Sequence, residues 1–574
     1  MSTTSVFTGE ISIVIAGAAG QGIQTVEILL TKILKLCGYN FFATKEYMSR
    51  VRGGNNSTEI RIASHRISAH VDTIDLLFPL NRDALNHVKK RITPDTVIIG
   101  EKSKLTDVTS DSQITITDVP FSELAKKTGG KIFSNIIVVG VISGLFRLDS
   151  AIIESFMKSY FARKGDEIVT KNIEAVRTGY SIGSTLAADS VVAVTIDTDP
   201  EVKDDIVMNG AEAVGIGAIA GGCNFIAAYP MSPSTGVLVF LAQQSKEFDI
   251  GVEQAEDEIA GINMALGAWY AGARALASSS GGGFALMTEG TSLAGMIESP
   301  VVIHIAQRPG PATGLPTRTE QGDLELALYA GHGEYPRIIY APGSIEDGVY
   351  LTQRAFNLAD KFQVPVFILT DQYYIDTYYN CPMIDISGMH NKQYIVETDK
   401  DYKRFALTES GISPRGVPGN GRGLVAVDSD EHDEEGHITE DTDIRITMVD
   451  KRLRKFESML EAVIPPERTG PENSENLIVC WGSTGNIVRE ALAKVNMSTV
   501  SMLHFKQVYP LPPDVSTYFS GAKKTVIVEN NATAQFAKLL KLHSGIEFDE
   551  KILKYNGMPF SVGELTEHIG RLFA

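Results

Sequence analysis

The sequence predicts an α/β protein of several domains, and three observations carry that reading. Short apolar, β-branched runs alternate with helix-periodic stretches along most of the chain. Glycine-bearing turns follow several of these runs directly, as they do where a strand passes into a helix. With 574 residues, the chain exceeds the roughly 250 to 300 that one hydrophobic core accommodates, so about two to four domains are expected.

The first block opens with an apolar run at 11–16, continues into Gly17-Ala18-Ala19-Gly20-Gln21-Gly22, and then becomes helix-periodic over Ile23–Leu36. That is strand, turn and helix in order. Apolar runs at 96–99 and 136–141 are expected to be further strands of a parallel sheet. The acidic, proline-bearing text DTDPEVKDD marks a composition shift typical of a linker. The first domain is therefore placed at 1–196 and the linker at 197–207.

The second domain, 208–393, begins with a helical stretch at 209–222 and a strand at 224–228 that ends in Tyr229-Pro230-Met231-Ser232-Pro233-Ser234-Thr235. Further strands are expected at Ala275–Ser279, 301–305, 337–339 and 364–369, at the spacing of βα units. Residues 394–474 read as a connector, rich in Gly and Pro near 411–423 and strongly acidic over 428–443. The last domain, 475–574, has strands at 477–481, 500–504 and 525–528, with Gly482-Ser483-Thr484-Gly485 turning into a helix.

Composition narrows the function. Lys and Arg number 52 against 70 Asp and Glu, a net charge of −18 that repels phosphate backbones and disfavours nucleic-acid binding. At 43% hydrophobic and 21% charged the chain is in the ordinary globular range. Cys37, Cys223, Cys381 and Cys480 are scattered and form no CxxC pair, so no metal site is expected on this chain. No run of about twenty apolar residues could span a bilayer. The start, MSTTSVFTGEISIVIAG, lacks a charged segment followed by a long apolar one, so a cytoplasmic location without membrane attachment is the expectation.

Several constellations could carry chemistry. GAAGQGIQT could be a tight turn or a pyrophosphate cradle at a helix N-terminus, since its glycines do not fit GxGxxG cleanly. Arg50 and Arg52 beside Gly53-Gly54 suit phosphate or carboxylate recognition, or form a solvated basic loop. The Tyr229–Thr235 loop places hydroxyls at the carboxyl end of a strand, where open α/β sheets bind ligands. Glu253, Glu256, Asp257 and Glu258 precede a Gly/Ala-rich helix, where acids commonly complement the helix dipole. A close-packing helix of small residues could also carry one of those acids into a buried interface, where it could exchange a proton with a bound heterocycle. Ser278-Ser279-Ser280-Gly281-Gly282-Gly283-Phe284 offers small residues where backbone must approach a ligand closely, or a flexible loop. Arg308 and Arg318, on a proline-stiffened loop, form a plausible clamp for an anion.

Together these motifs resemble the 2-oxoacid:ferredoxin oxidoreductases, specifically a fused gamma-alpha subunit of the 2-oxoglutarate type, over nearly the whole chain. The resemblance implies a gamma domain, then a pyrimidine-type thiamine-diphosphate α/β domain, then a transketolase-C-like α/β domain. TyrProMetSerPro is similar to the family's YPITP motif, with Met231 for isoleucine and Ser232 for threonine. Ser232 keeps the hydroxyl that faces the substrate and loses a methyl group. By register against Gly267-Ala268, Glu258 matches the glutamate that bonds the aminopyrimidine ring; Glu256 and Glu253 are the alternatives. The string GLPTRTEQGDL is the most family-specific. The resemblance assigns catalytic roles to Glu258, Ser232 and Arg308, and substrate contacts to Tyr229, Ser232, Thr317 and Arg318. Cofactor contacts fall to Glu258, Pro230, Ser280, Gly281 and Gly282, and coenzyme A contacts to Gly20, Gln21, Gly22 and Arg52.

The implied reaction converts 2-oxoglutarate, coenzyme A and oxidised ferredoxin to succinyl-CoA, CO2 and reduced ferredoxin, in either direction. Because the chain shows neither a GDG-type diphosphate motif nor cluster-type cysteine spacing, the resemblance implies a separate beta subunit. That subunit would supply a [4Fe-4S] cluster and most of the thiamine diphosphate and Mg2+ site, in a dimer of alpha-beta pairs. Three other readings stay open at this point. They are a pyruvate or branched-chain 2-oxoacid enzyme, a non-catalytic scaffold subunit, and an NAD-linked dehydrogenase subunit, which would need an acid on the second strand that is not evident.

Overall fold

The computed structural model describes residues 5–19, 22–48, 53–105 and 116–573. The chain divides into two compact units, the first comprising Met1–Met208, Thr377–Ile384 and Ser561–Glu564, the second the remainder. Among the described residues no single helix is long and apolar enough to cross a membrane.

In the first unit the described residues form an eight-stranded sheet. Its order is Ile116–Asp118, Val97–Gly100, Leu76–Pro79, Glu10–Ala18, Asn55–Ala63, Asn40–Glu46, Tyr378–Cys381 and Ile206–Asn209. Glu10–Ala18 is followed by a turn and by helix Ile23–Leu36, as expected, with Gly22 at φ 78° as its left-handed N-cap. The sheet is mixed rather than parallel. Asn40–Glu46 and Asn55–Ala63 pair antiparallel with each other, and the second also pairs antiparallel with Glu10–Ala18. A connection of eight residues is too short for a crossover, which takes a dozen or more.

The apolar run 136–141, expected as a strand, lies inside helix Ser134–Leu145, whose residues from Ile136 to Leu145 are all buried. A helix buried on every side has no polar face, so its sequence cannot be told from a buried strand. Close contact with helix Asp166–Ala188 explains that burial. Side chains on Gly140, Gly144, Gly179 or Gly183 would collide with the facing backbone carbonyls of Val176, Tyr180, Ile137 and Val141.

The expected linker at 197–207 is also part of this unit. Pro200–Asp204 forms a 3-10 turn and Ile206–Asn209 the edge strand, while buried Asp205 accepts from Arg66 Nη1 at 2.8 Å and Asn380 Nδ2 at 2.6 Å. The acid that closes the segment, Asp205, serves internal pairing, which composition alone cannot distinguish from the charge of a solvated linker.

Buried Glu59 pairs with His70 Nδ1 at 3.0 Å and with Arg91. Burial pushes its carboxyl up, but Arg91 and His70 more than reverse this and hold it at about 2. A carboxyl depressed in the fold contributes stability that is full above its ordinary value near 4.5 and is lost as pH falls toward 2. Glu59 should thus supply about 3 kcal/mol above pH 4.5. Acid unfolding of the Glu59→Gln chain, followed by circular dichroism, should show a correspondingly flatter slope between pH 4.5 and 2.

The second unit holds a seven-stranded sheet in the order Gly251–Gln254, Phe225–Ala228, Ala275–Ser279, Val301–Gln307, Pro365–Asp371, Ile338–Tyr340 and Gln507–Tyr509. All pairs are parallel except the last. A five-stranded sheet follows: Glu467–Thr469, Val500–Phe505, Asn476–Trp481, Lys524–Glu529 and Glu550–Leu553. One apolar core runs through both, from Ile226 and Phe367 to Trp481 and Phe536. Apart from Met208, Thr377–Ile384 and Ser561–Glu564, which belong to the first unit, the domains expected at 208–393 and 475–574 share one packed body.

The connector at 394–474 is irregular up to helix Thr442–Leu460, which sequence reading did not anticipate. Its charges face partners. Glu431 bonds Arg445 and Arg452, and Lys403 lies 3.2 and 2.9 Å from Glu434 and Glu435. Lys451 and Lys455 each lie 2.6 Å from buried Glu298.

Candidate active site

Parallel strands all end on one edge of the sheet, and the chain order across the second unit places a crevice there. From Phe225–Ala228 the chain moves outward to Gly251–Gln254, then returns to Ala275–Ser279 on the opposite side. Loops leaving neighbouring strands in opposite directions open a gap at the carboxyl edge, the usual ligand position in such sheets.

Tyr229, Pro230, Met231 and Ser232 leave the first of these strands. Tyr229 and Ser232 are exposed and Pro230 is half-buried. Ser234 Oγ donates to Met231 O at 2.7 Å, and Arg308 Nη1, from the end of the Val301–Gln307 strand, donates to Ser232 O at 2.7 Å. Arg308 thereby fixes the loop that carries the Ser232 hydroxyl.

The three candidate glutamates separate by burial. Glu253 and Glu256 are exposed, whereas Glu258 is 2% exposed. Asp257 caps helix Glu258–Tyr270 by accepting from Ala260 N at 2.8 Å, which leaves the Glu258 side chain free for other partners. Ser279 Oγ donates to Glu258 Oε1 at 3.1 Å. The glycine run Gly281-Gly282-Gly283 seats this carboxylate. A Cβ on Gly283 would strike Glu258 Oε1 and Ser279 Oγ, and one on Gly281 would strike the carboxylate of Asp323. Gly282, between them, is exposed.

Arg318 and Thr317 are half-buried on the loop between Val301–Gln307 and Leu324–Tyr329. Thr319 and Gln321 anchor that loop. Thr319 Oγ1 donates to Asp371 Oδ1 at 3.2 Å, Gln321 Nε2 to Trp481 O at 2.8 Å, and Gln321 N to Asn530 O at 2.7 Å. Asp371, whose carboxyl burial pushes up, also accepts from Ser483.

Four sealed polar atoms on these loops have no hydrogen-bond partner: Ser280 Oγ, Gln307 Nε2, Arg308 Nε and Asp323 Oδ2. Buried polar groups are nearly always paired, so a cluster of orphans at a sheet's carboxyl edge marks a place built for a polar ligand. In the sequence Ser279, Gly283 and Gln307 stand out only as members of longer strings without roles of their own, and Asp323 is not singled out. A third glycine in a row was the available signal for Gly283; Asp323, just ahead of a helix, reads as an ordinary cap. In the first unit, Gly22 starts its helix with a would-be Cβ 2.8 Å from Asn135 Nδ2, while Gly20, Gln21 and Arg52 lie outside the described residues.

Comparison with known proteins identifies the family. Residues 216–451 match the family described as "Pyruvate flavodoxin/ferredoxin oxidoreductase, thiamine diP-bdg", and residues 12–182 match "Pyruvate ferredoxin/flavodoxin oxidoreductase". A 2-oxoacid:ferredoxin oxidoreductase subunit alpha from Sulfolobus is 32% identical, with 97% of this chain and 96% of the relative aligned. The chain belongs to the 2-oxoacid:ferredoxin oxidoreductase family. It is an alpha subunit of such an enzyme, so it works with a partner subunit, and 216–451 is its thiamine-diphosphate-binding region. Within the family, the Archaeoglobus fulgidus 2-oxoglutarate synthase subunit KorA is 33% identical over 57% of this chain and 88% of its own. The solved 2-oxoglutarate:ferredoxin oxidoreductase of Magnetococcus marinus, with 2-oxoglutarate, coenzyme A and succinyl-CoA bound, superposes with a TM-score of 0.91. That similarity comes at 29% identity and covers 98% of this chain and 100% of the other.

Proposed function

We propose that this oxidoreductase subunit acts on 2-oxoglutarate, forming succinyl-CoA and CO2 with transfer of two electrons to ferredoxin, and that the reaction also runs in the carboxylating direction. The observation that carries the reading is the buried Glu258, seated on Gly283 beside four unpartnered polar atoms. The 2-oxoglutarate-specific names of the Archaeoglobus and Magnetococcus relatives support the choice of acid.

The residues present fit the aminopyrimidine end of thiamine diphosphate. Gly283 lets the buried Glu258 carboxylate sit at the carboxyl edge of the sheet, and Ser280 Oγ and Gln307 Nε2 on the same edge are without protein partners. Glu258, Pro230, Ser280, Gly281 and Gly282 would hold that end. Bound thiamine supplies the electron sink for loss of CO2. Glu258, oriented by Ser279, would hold and return a proton at the aminopyrimidine ring. Arg318 and Thr317, with Tyr229 and Ser232, receive the oxoacid, and Arg308 holds the Ser232 loop in place while presenting positive charge to the acid. The diphosphate, Mg2+ and a [4Fe-4S] cluster reside in a beta subunit, in a cytoplasmic dimer of alpha-beta pairs. In the first unit Gly20, Gln21, Gly22 and Arg52 are the coenzyme A contacts.

Reduction of a low-potential viologen dye by the natively purified, anaerobic complex tests this. Dependence on both 2-oxoglutarate and coenzyme A is expected; preference for pyruvate would overturn the choice of acid. In the same assay Arg318→Ala should raise KM for the oxoacid about 10- to 100-fold, the worth of one charge-assisted hydrogen bond. An unchanged KM would remove Arg318 from the substrate site.

A further inference from the structure

Asp323 is placed unusually. It occupies the N-cap position of helix Leu324–Tyr329, where aspartate normally accepts from the helix's first N–H groups, yet its side chain makes no such bond. Its backbone N donates instead to Gln307 Oε1 at 2.9 Å, and its carboxylate lies against Gly281 in space a single methyl group would fill. Part of the residue reaches solvent, but Oδ2 is sealed and without a partner. Two of the three glycines in the run are thus explained by acids, Gly283 by Glu258 and Gly281 by Asp323.

The charges that face it come from three elements. Arg308, at the end of Val301–Gln307, attracts its negative charge; Glu320, on its own loop, repels it; Glu258, at the start of its helix, acts on the same Arg308 guanidinium. Leu324–Tyr329 begins with Glu325, whose carboxylate is 3.0 Å from Lys538. Gly281 and Gln307 add no charge.

We propose that Asp323 is a positioning residue that couples acceptance of the anionic oxoacid to uptake of one proton. Charged, it competes for the Arg308 guanidinium; neutral, it leaves that guanidinium to the incoming carboxylate. The proton is taken from solvent onto Asp323 when the acid enters and returned when the site empties, with no other bond made or broken. Burial, reinforced by Glu320 and opposed by Arg308, pushes the carboxyl up to about 7, so the coupling falls in the physiological range. An acid raised in this way is neutral below that pH and ionises above it, so oxoacid binding should weaken as pH rises through about 7. The inference rests on the 2-oxoacid reading of the site.

The test is KM for 2-oxoglutarate from pH 6 to 8.5, by dye reduction with the assembled holoenzyme. Wild type should show KM flat on the acid side of the inflection and rising by up to about tenfold per pH unit beyond it. Asp323→Asn, which mimics the neutral acid, should lose that rise, with the change in KM rather than in the shape of the kcat profile. Gly281→Ala, which forces the carboxyl outward, should move the inflection toward the ordinary carboxylate range. Superimposable wild-type and Asp323→Asn profiles would overturn the proton coupling alone. A wild-type complex that oxidises no 2-oxoacid would overturn the functional reading beneath it.

Discussion

Glu258→Gln should leave an assembled, cofactor-loaded complex that reduces dye roughly 100- to 10,000-fold more slowly than wild type, the usual worth of a positioned proton-transfer group. The amide has the shape of the carboxylate and can still accept from Ser279 Oγ, so packing against Gly283 is kept. What it cannot do is hold a proton and give it back. Gly283→Ala tests the same arrangement from the other side, since its methyl group would occupy the position of Glu258 Oε1. It should slow turnover comparably. Wild-type turnover in Glu258→Gln would move the role to Glu253 or Glu256, or leave the chain a scaffold.

Loss of Glu298 is expected to have the largest effect on stability. Its carboxylate is buried between Lys451 Nζ and Lys455 Nζ, each 2.6 Å away, and its carbonyl accepts from Arg404 Nη2 at 2.7 Å. Burial pushes the Glu298 carboxyl up, and the two lysines more than reverse that; burial pushes Lys455 down to about 8 despite Glu298. Glu298 is therefore ionised between two lysines that both pair with it. Glu298→Gln leaves two buried ammonium groups without their counter-ion, which should cost about 3–5 kcal/mol. Urea unfolding of the full-length chain, followed by tryptophan emission from Trp269 and Trp481 in this unit, should show the loss. Replacing all three charges with Met or Leu should recover most of it, because apolar groups of similar volume carry no desolvation penalty. A Glu298→Gln midpoint equal to wild type would mean that water reaches these lysines.

How much of this was legible in the sequence depends on whether the deciding interaction is local. Helix Ile23–Leu36 and the parallel strands from Phe225–Ala228 to Pro365–Asp371 announce themselves through periodicity and turn residues. Glu258 could be favoured over its neighbours by register, but burial alone separates it from Glu253 and Glu256. Helix Ser134–Leu145 hid as a strand because its partner is another helix met glycine to glycine. The acidic run near 428–443 reads in the sequence only as part of a connector, yet Glu431 is bonded to two arginines of a later helix. Asp323 was invisible for the same reason, since its environment is made by Gly281, forty-two positions earlier in the chain.

Strand Tyr378–Cys381 has a consequence for biosynthesis. It lies between Asn40–Glu46 and Ile206–Asn209, where Asn380 Oδ1 accepts from Phe41 N at 2.9 Å and Tyr379 stacks on Phe42. A nascent chain that has emerged as far as Met208 therefore holds a sheet with a vacant slot. At translation rates of about 5 to 20 residues per second, that slot waits on the order of 10 to 35 s for its occupant. During that interval Asn40–Glu46 presents open backbone groups, a template for pairing with the wrong chain. A gene cut after codon 208 would yield a first half whose sheet cannot close, so in this fused arrangement the fusion is part of how the amino-terminal unit completes its fold.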